Sequence, residues 1–472
     1  MRIAIVGAGA AAVGLLDALA LSEAEGGEIT VFEPSPHLWR GRPYGPDLDS
    51  VLVNAPPAIM SIRHSDFGHY ASWLGPQRAA AHLDDLLGHP LVPRTLYGRY
   101  LAGTAEAALA QLRERHWRTR VVPARVAAVT QVGPRLVLRT ADGRDHPADR
   151  VAVCVGGGTP QDHYGLGGAP GFVGDPYPLA RTLDQVPDEA DVAVIGSGLT
   201  AVDVVVSLAT RGHAGRIVLV SRSGMLPHVW QRPVGHRPRH VTVERVEALS
   251  REHGTVTLDA LAGLLRAELD EMGEDFARFT AELLAAGSEG PIRRLRRQLA
   301  AVDDPLIGRR VLQESAHTVG PYAWRLLPEH DCEWLRRYFR LATSVASPMV
   351  PVNAAAMLRL FDSGQLSVVA GVRKIEAAKG GFQVRGDGGD LTADVVVNAV
   401  NPPPQAVPRA AEPLVTSLLA GGLAALHPSG GLVPADPRVH VVGDLAGGGP
   451  FITSGIAGIA AQAARAAGGL LG

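Results

Sequence analysis

Cysteine is almost missing from this sequence. Its 472 residues hold two, Cys154 and Cys332, and no Cys-x-x-Cys pair, which excludes a redox dithiol and leaves no cysteine-based zinc site. Cys154 lies in the apolar run 151–155 and reads as a buried strand residue, whereas Cys332 stands between two acids with no visible partner. Lysine is equally scarce. Only Lys374 and Lys379 stand against 43 arginines, a skew that reads as a GC-rich genome and disfavours Schiff-base chemistry. An excess of one charge is lacking too: the formal net charge is -2, so no global basic field recruits nucleic acid or an anionic membrane. No window of eighteen strongly apolar residues occurs, and no basic segment with a separate apolar stretch opens the chain. The expectation is a cytoplasmic protein with no metal, no nucleic-acid partner and no membrane partner.

What is present begins at residue 2. The run Arg2-Ile3-Ala4-Ile5-Val6 is followed by Gly7-Ala8-Gly9, an Ala- and Leu-rich stretch to Leu21, then Ile29-Thr30-Val31-Phe32 and Glu33. This reads as strand, tight turn, helix and second strand. Gly7 permits the turn, Gly9 lets the backbone approach a pyrophosphate, and Ala12 keeps the helix close to the strand; Gly14 completes the small-residue set. The helix N-terminus favours an anion through its unpaired N–H groups, and Glu33 sits where a carboxylate binds ribose hydroxyls. The turn therefore predicts a dinucleotide site.

The pattern then repeats. Asp191-Val192-Ala193-Val194-Ile195 leads into Gly196-Ser197-Gly198 with Ala201, and Ile217-Val218-Leu219-Val220 supplies the second strand. Hairpin-like alternation over 121–140 returns over 366–400, each followed by an apolar strand, 148–156 and 393–399. The second unit ends in Ser221-Arg222 where the first has Glu33. A guanidinium there binds a 2′-phosphate that an acid would repel, so FAD is expected at the first site and NADPH at the second. Between them, leucines and phenylalanines from Leu258 to Leu284 fall at helical spacing, a helical insert over about 235–341. Its arginine pairs 293–294, 296–297 and 309–310 read as solvated helix faces, since no aromatic platform interleaves them.

The chain closes with Val439-His440-Val441-Val442-Gly443-Asp444 and a helix expected from about Phe451 to Ala466. Gly443 and Asp444 would meet the ribityl chain, and the helix start near Thr453 would stabilise negative charge on a flavin. The expected architecture is α/β: two Rossmann-like three-layer dinucleotide-binding domains, glutathione-reductase-like, with a helical insert. The boundaries are 1–165 for the first part of the FAD domain, 166–404 for the NADPH domain and 405–472 for the closing part. Asn54, before Pro56 on a Pro- and Gly-rich loop, is the candidate catalytic residue, its amide placed to hydrogen-bond the substrate or the reacting oxygen. Arg40, Arg42, Arg63 and His64 are candidates for binding a substrate carboxylate.

With these motifs in hand, the chain resembles the two-dinucleotide-binding flavoproteins. More narrowly it is similar to the bacterial FAD/NAD(P)-binding group that includes the flavin-dependent L-aspartate N-monooxygenase, related to the class B flavin monooxygenases. The similarity is carried by Pro43-Tyr44-Gly45, Val53-Asn54-Ala55-Pro56, Pro93-Arg94, Tyr97-Gly98-Arg99-Tyr100-Leu101, 196–203, 221–228 and Gly443-Asp444-Leu445. The resemblance implies a monooxygenase of secondary metabolism in which NADPH reduces FAD, oxygen forms a C4a-hydroperoxyflavin, and a small amine, such as that of aspartate, is hydroxylated. Two features depart from the pattern: Pro178 stands where the Phe-x-Gly-x-x-x-His fingerprint of class B enzymes has histidine, and no Arg-His-Arg cluster occurs near 344–348. An NADPH oxidoreductase without oxygen insertion is the alternative, and a non-catalytic FAD-binding interaction protein the second.

Overall fold

In the computed structural model, which describes residues 1–387, 389–403, 405–447 and 455–472, the strand Arg2–Val6 is the centre of a five-stranded parallel sheet. Gly27–Phe32 flanks it on one side in the register Arg2 to Glu28 through Val6 to Phe32, and Arg150–Val153 on the other. Trp117–Val122 and Val439–Val441 form the two edges. The strand is apolar at nearly every position because both of its faces are covered, as parallel sheets require. Ile3 and Ile5 face the helices Ala10–Leu21, Arg94–Glu114 and Ile456–Leu471. Ala4 and Val6 face a three-stranded antiparallel sheet, 126–148, and the helix Glu412–Ala420.

The second unit repeats this arrangement. Val192–Ile195 lies between Ile217–Val220 and Val395–Asn398, with Leu366–Val369 and Phe172–Val173 at the edges, all parallel. Val192 and Val194 pack on the helices Leu199–Thr210 and Pro351–Asp362; Ala193 and Ile195 pack on the antiparallel strands of 372–393. Period-two alternation thus delivers one face to helices and the other to a small sheet, twice. Both units are three-layered.

The region between Ile217–Val220 and Leu366–Val369 is helical, from Val243–His253 to Phe339–Ala346. Thr242, Thr257 and Asp275 cap three of its helices, each side chain accepting from N–H groups of the first turn. Its arginines differ from the expectation. Arg293, Arg296 and Arg297 do reach solvent and pair with Glu289, Asp362 and Glu282, but Arg294, Arg309 and Arg310 are buried. For Arg294 and Arg310 the reason is the unpaired carbonyls at helix ends and turns. Arg294 donates to Ala286 O at 2.7 Å and Leu226 O at 2.6 Å, and Arg310 to Arg232 O and Leu306 O, both at 2.7 Å. The closing helix, described over Ile456–Leu471, ends later than expected, because Leu470 is fully buried and keeps Gly468 and Gly469 in the helix. Phe451 through Ser454 lie outside the described residues. No helix among the described residues is long and apolar enough to cross a membrane.

Candidate nucleotide and active site

Both Gly-x-Gly turns sit at the C-terminal ends of the central strands, where open parallel sheets bind ligands. Gly7 has φ 100°, and a Cβ there would stand 2.6 Å from Cys154 O, so the turn and the neighbouring strand end admit only glycine. Gly9 caps the helix Ala10–Leu21 in an extended conformation with no side-chain partner for the first-turn amides. Glu33 closes the turn from the second strand: its carboxylate accepts from Ala8 N and Ser35 N, both at 2.9 Å. The second turn is built alike, with Gly196 at φ 109° donating to Val220 O at 2.8 Å and Gly198 capping Leu199–Thr210. Ser221 there accepts from Gly224 N at 2.9 Å, ordering the loop that carries Arg222.

One cavity of about 2230 Å³ joins the two turns. A pocket for one drug-sized ligand is roughly 300–1,000 Å³, so this volume suits two dinucleotides and a small substrate. Its walls include Gly7, Gly9, Glu33, Gly443 and Asp444 on the first unit and Gly196, Gly198, Ser221 and Arg222 on the second. Asn54, Arg40 and Arg42 lie on the loop between them.

Other expected residues are placed elsewhere. Ala12 and Ala201 are wholly buried under their turns, and Gly14 packs against Ala463, 3.2 Å from where its Cβ would be; these three shape the helices without lining the cavity. Arg63 is bound by Asp17 through Nη2 at 2.8 Å and Nε at 3.1 Å, and neither it nor His64 reaches the cavity wall. Burial and then Arg465 hold the His64 imidazole below its ordinary value. Arg42 is committed to Asp175 and lies over the Tyr177 ring. Thr453 lies outside the described residues.

The structure brings together residues that the sequence motifs do not link. Arg94 at the start of its helix, Tyr177 and Asp203 converge where the two units meet. Arg94 Nη2 lies 2.7 Å from Asp203 Oδ2, its Nη1 donates to the Tyr177 hydroxyl at 3.1 Å, and its Nε to Leu52 O at 3.0 Å. Tyr177 donates to the same Asp203 oxygen. Burial opposes the Arg94 charge, but Asp203 and Tyr177 outweigh it and raise its pKa; burial pushes the Asp203 carboxyl up against the pull of Arg94. Further bonds cross the same seam: Ala180 N donates to Asp47 Oδ1 at 2.8 Å, and Ser50 meets Ser207 at 2.8 Å. Arg340, from the insert helix Phe339–Ala346, reaches Ser223 Oγ at 3.1 Å beside Arg222 and lines the cavity. Burial and the Arg222 charge both lower its pKa. Among the described residues neither Arg222 nor Arg340 has a carboxylate partner, and no cluster of His, Cys, Asp or Glu could hold a metal.

The comparisons agree with this geometry. Residues 4–158 match the model of a family described as FAD-NAD(P)-binding. No curated protein matches the chain by sequence. Among solved structures, the ornithine N-hydroxylase of Kutzneria sp. 744 is similar at 14% identity and TM-score 0.59, over 98% of this chain and 97% of that one. The cadaverine monooxygenase of Erwinia amylovora shows 12% identity and TM-score 0.58 over 98% and 92%. The L-lysine 6-monooxygenase of Pseudomonas syringae shows 16% and 0.58 over 99% and 98%. The fold is therefore that of the two-domain FAD/NAD(P)-binding flavoproteins. Within that class, the three structures named are one N-hydroxylase and two monooxygenases.

Proposed function

We propose that the chain is an NADPH-dependent FAD monooxygenase that hydroxylates the nitrogen of a small amine, with an amino acid such as aspartate as the favoured substrate. The observation that carries the reading is the single cavity shared by two nucleotide turns of opposite charge, Glu33 at one and Arg222 with Arg340 at the other. The residues fit the groups. The Gly7 turn would admit a pyrophosphate, Glu33 would accept from ribose hydroxyls, and Gly443 and Asp444 would hold the ribityl chain. At the second turn Gly196 and Gly198 leave the phosphates room, a Cβ on Gly198 having nothing within 4 Å, while Ser221, Arg222 and Arg340 bind a 2′-phosphate.

Bound FAD supplies electron exchange with NADPH and the activation of oxygen. The protein binds, orients and excludes water. Arg40 lies on the cavity wall with no carboxylate partner among the described residues and can bind a substrate carboxylate. Asn54 is fixed by its own carbonyl, which accepts from buried Trp230 Nε1 at 2.7 Å, leaving its amide free to hold the substrate nitrogen. The test is turnover of the FAD-loaded protein with NADPH and oxygen against aspartate, ornithine, lysine and cadaverine. Hydroxylated amine matching the NADPH consumed is the expected result. NADPH oxidised wholly to peroxide, with no hydroxylated amine from any of them, overturns the reading.

A further inference from the structure

Behind the cavity wall lies a cluster that nucleotide binding does not explain. Tyr44 lines the cavity, within electrostatic reach of Asp444 and Arg94. Its ring lies 4.7 Å from that of Tyr97, which lies 5.3 Å from Tyr100, which lies 5.5 Å from Trp73. Trp73 is half-buried at the surface, with the Arg78 guanidinium 5.0 Å from its ring. The chain thus runs unbroken from cavity to solvent. Half of the eight tyrosines in the sequence gather here, counting Tyr70, and among the described residues no ring contact of the cluster involves a phenylalanine. Apolar packing alone favours Phe, since a phenol buried in a core must find a partner.

The hydroxyls are not equivalent. Tyr100 OH meets His69 Nδ1 at 2.8 Å, and Ile62 N donates to the same oxygen at 3.1 Å. His69 is half-buried, and desolvation followed by Arg63 lowers its pKa, so its ring is neutral and can accept a proton. Tyr97 donates only to Met60 O at 2.6 Å, a carbonyl that cannot keep a proton. The Tyr70 hydroxyl is buried with no partner among the described residues.

We propose that Tyr44, Tyr97, Tyr100 and Trp73 form a one-electron relay that carries an oxidising equivalent out of the cavity to the surface, with His69 as the base for Tyr100. The proposal rests on the reading of the cavity as an oxygen-activating flavin site. An oxygen-derived radical, released there when no substrate consumes the oxidant, takes one electron from Tyr44, whose phenolic proton passes to solvent in the open cavity and returns when Tyr44 is reduced again. The electron that refills that vacancy comes from Tyr100 through the ring of Tyr97, which keeps its proton on the Met60 carbonyl, and Tyr100 passes its phenolic proton to His69 as it loses its electron. Trp73 then reduces Tyr100, the proton returns from His69, and a soluble thiol or ascorbate-class reductant reduces Trp73. The net change is one electron from that reductant to the oxidant, with no covalent bond formed or broken in the protein. Tyr70 is not needed, because the ring of Tyr97 already joins Tyr44 to Tyr100 and the Tyr70 hydroxyl has no acceptor for its own proton among the described residues.

The test is flash excitation of the FAD-loaded protein without oxygen, the excited flavin serving as the one-electron oxidant, with tyrosyl and tryptophanyl radicals followed by transient absorbance and spin resonance. The wild type should show a tryptophanyl signal that added ascorbate quenches. Trp73→Phe should leave a tyrosyl signal alone; Tyr100→Phe should abolish the tryptophanyl signal; His69→Gln should reduce it; Tyr70→Phe, in the same cluster, should match the wild type. Near-ultraviolet dichroism verifies that each variant is folded. A tryptophanyl yield unchanged in Tyr100→Phe, or no radical from the cluster with flavin bound, overturns the relay. Protein that takes up no FAD overturns the functional reading instead, and a soluble ruthenium photo-oxidant then tests the Trp73–Tyr100 limb directly: an absent Tyr100 dependence overturns it there too.

Discussion

The seam between the two units makes the strongest prediction about stability. In Asp203→Ala, Arg94 loses the carboxylate at 2.7 Å and Tyr177 loses its acceptor, while the Arg94 side chain is only 13% exposed and that of Asp203 5%. Removing one partner of a buried ion pair leaves an uncompensated charge and costs about 3–5 kcal/mol, where replacing both by apolar groups is often neutral. Against a typical total of ~5–15 kcal/mol this is a large fraction. Asp203→Ala should therefore lower the urea midpoint strongly. The double change Arg94→Met with Asp203→Leu should recover most of the loss, and Tyr177→Phe should cost only about 0.5–1.5 kcal/mol. Because the network joins both units, flavin release and far-ultraviolet dichroism should shift together. A loss below about 1 kcal/mol in Asp203→Ala would refute the argument, since it would place Arg94 in water with an exposed pair's weak energetics.

Other expectations follow from single residues. Gly7→Ala, with φ 100° and Cys154 O at 2.6 Å from the new Cβ, should lose FAD and stability together; Gly198→Ala, with nothing within 4 Å of its Cβ, should weaken NADPH binding while leaving the thermal midpoint nearly unchanged. Arg222→Ala and Arg340→Ala should each raise KM for NADPH about tenfold or more, as loss of a charge-assisted bond of roughly 1.5–3 kcal/mol implies, and leave NADH unaffected; equal effects on both nucleotides would contradict the 2′-phosphate assignment. Burial, with Arg294 and Arg309 nearby, drives the His228 imidazole from 6.5 to about 3. The unfolded chain therefore takes up this proton first. Stability is unaffected by it above pH 6.5 and falls as pH drops from there toward 3, by up to ~1.4 kcal/mol per pH unit. His228→Gln should flatten the urea midpoint between pH 6.5 and 5, and an unchanged slope would count against the buried neutral ring.

The nucleotide turns were legible because their logic is local. Gly7, Gly9 and Glu33 belong to one strand-turn-helix-strand unit, and a short stretch of chain fixes their relation. The repeat at 191–222 was legible for the same reason. Arg94, Tyr177 and Asp203 were not, since their meeting depends on how two separately folded units dock, and nothing near any of them in sequence signals the other two. Arg340 was hidden because an arginine on an amphipathic helix reads as a solvent-facing charge. Arg294 shows that limit in reverse: helical spacing gives its direction about the axis but not whether carbonyls or water wait at the end of its side chain. Arg63 looked equivalent to Arg40 until Asp17, about two turns into the first helix, proved to occupy it.

The bonds across the seam have a consequence for recombining such proteins. They leave the first unit from one part of the chain, Arg42, Asp47, Ser50, Asn54 and Arg94, and land on 175–207 and on Trp230. A graft that exchanged the second nucleotide unit as a self-contained block would bring a new Asp175, Ser207 and Asp203 counterpart to old partners and strand a buried guanidinium. The natural unit of exchange is discontinuous: the loop and helix start at 40–94 must travel with 175–207, even though the sheet they belong to stays behind.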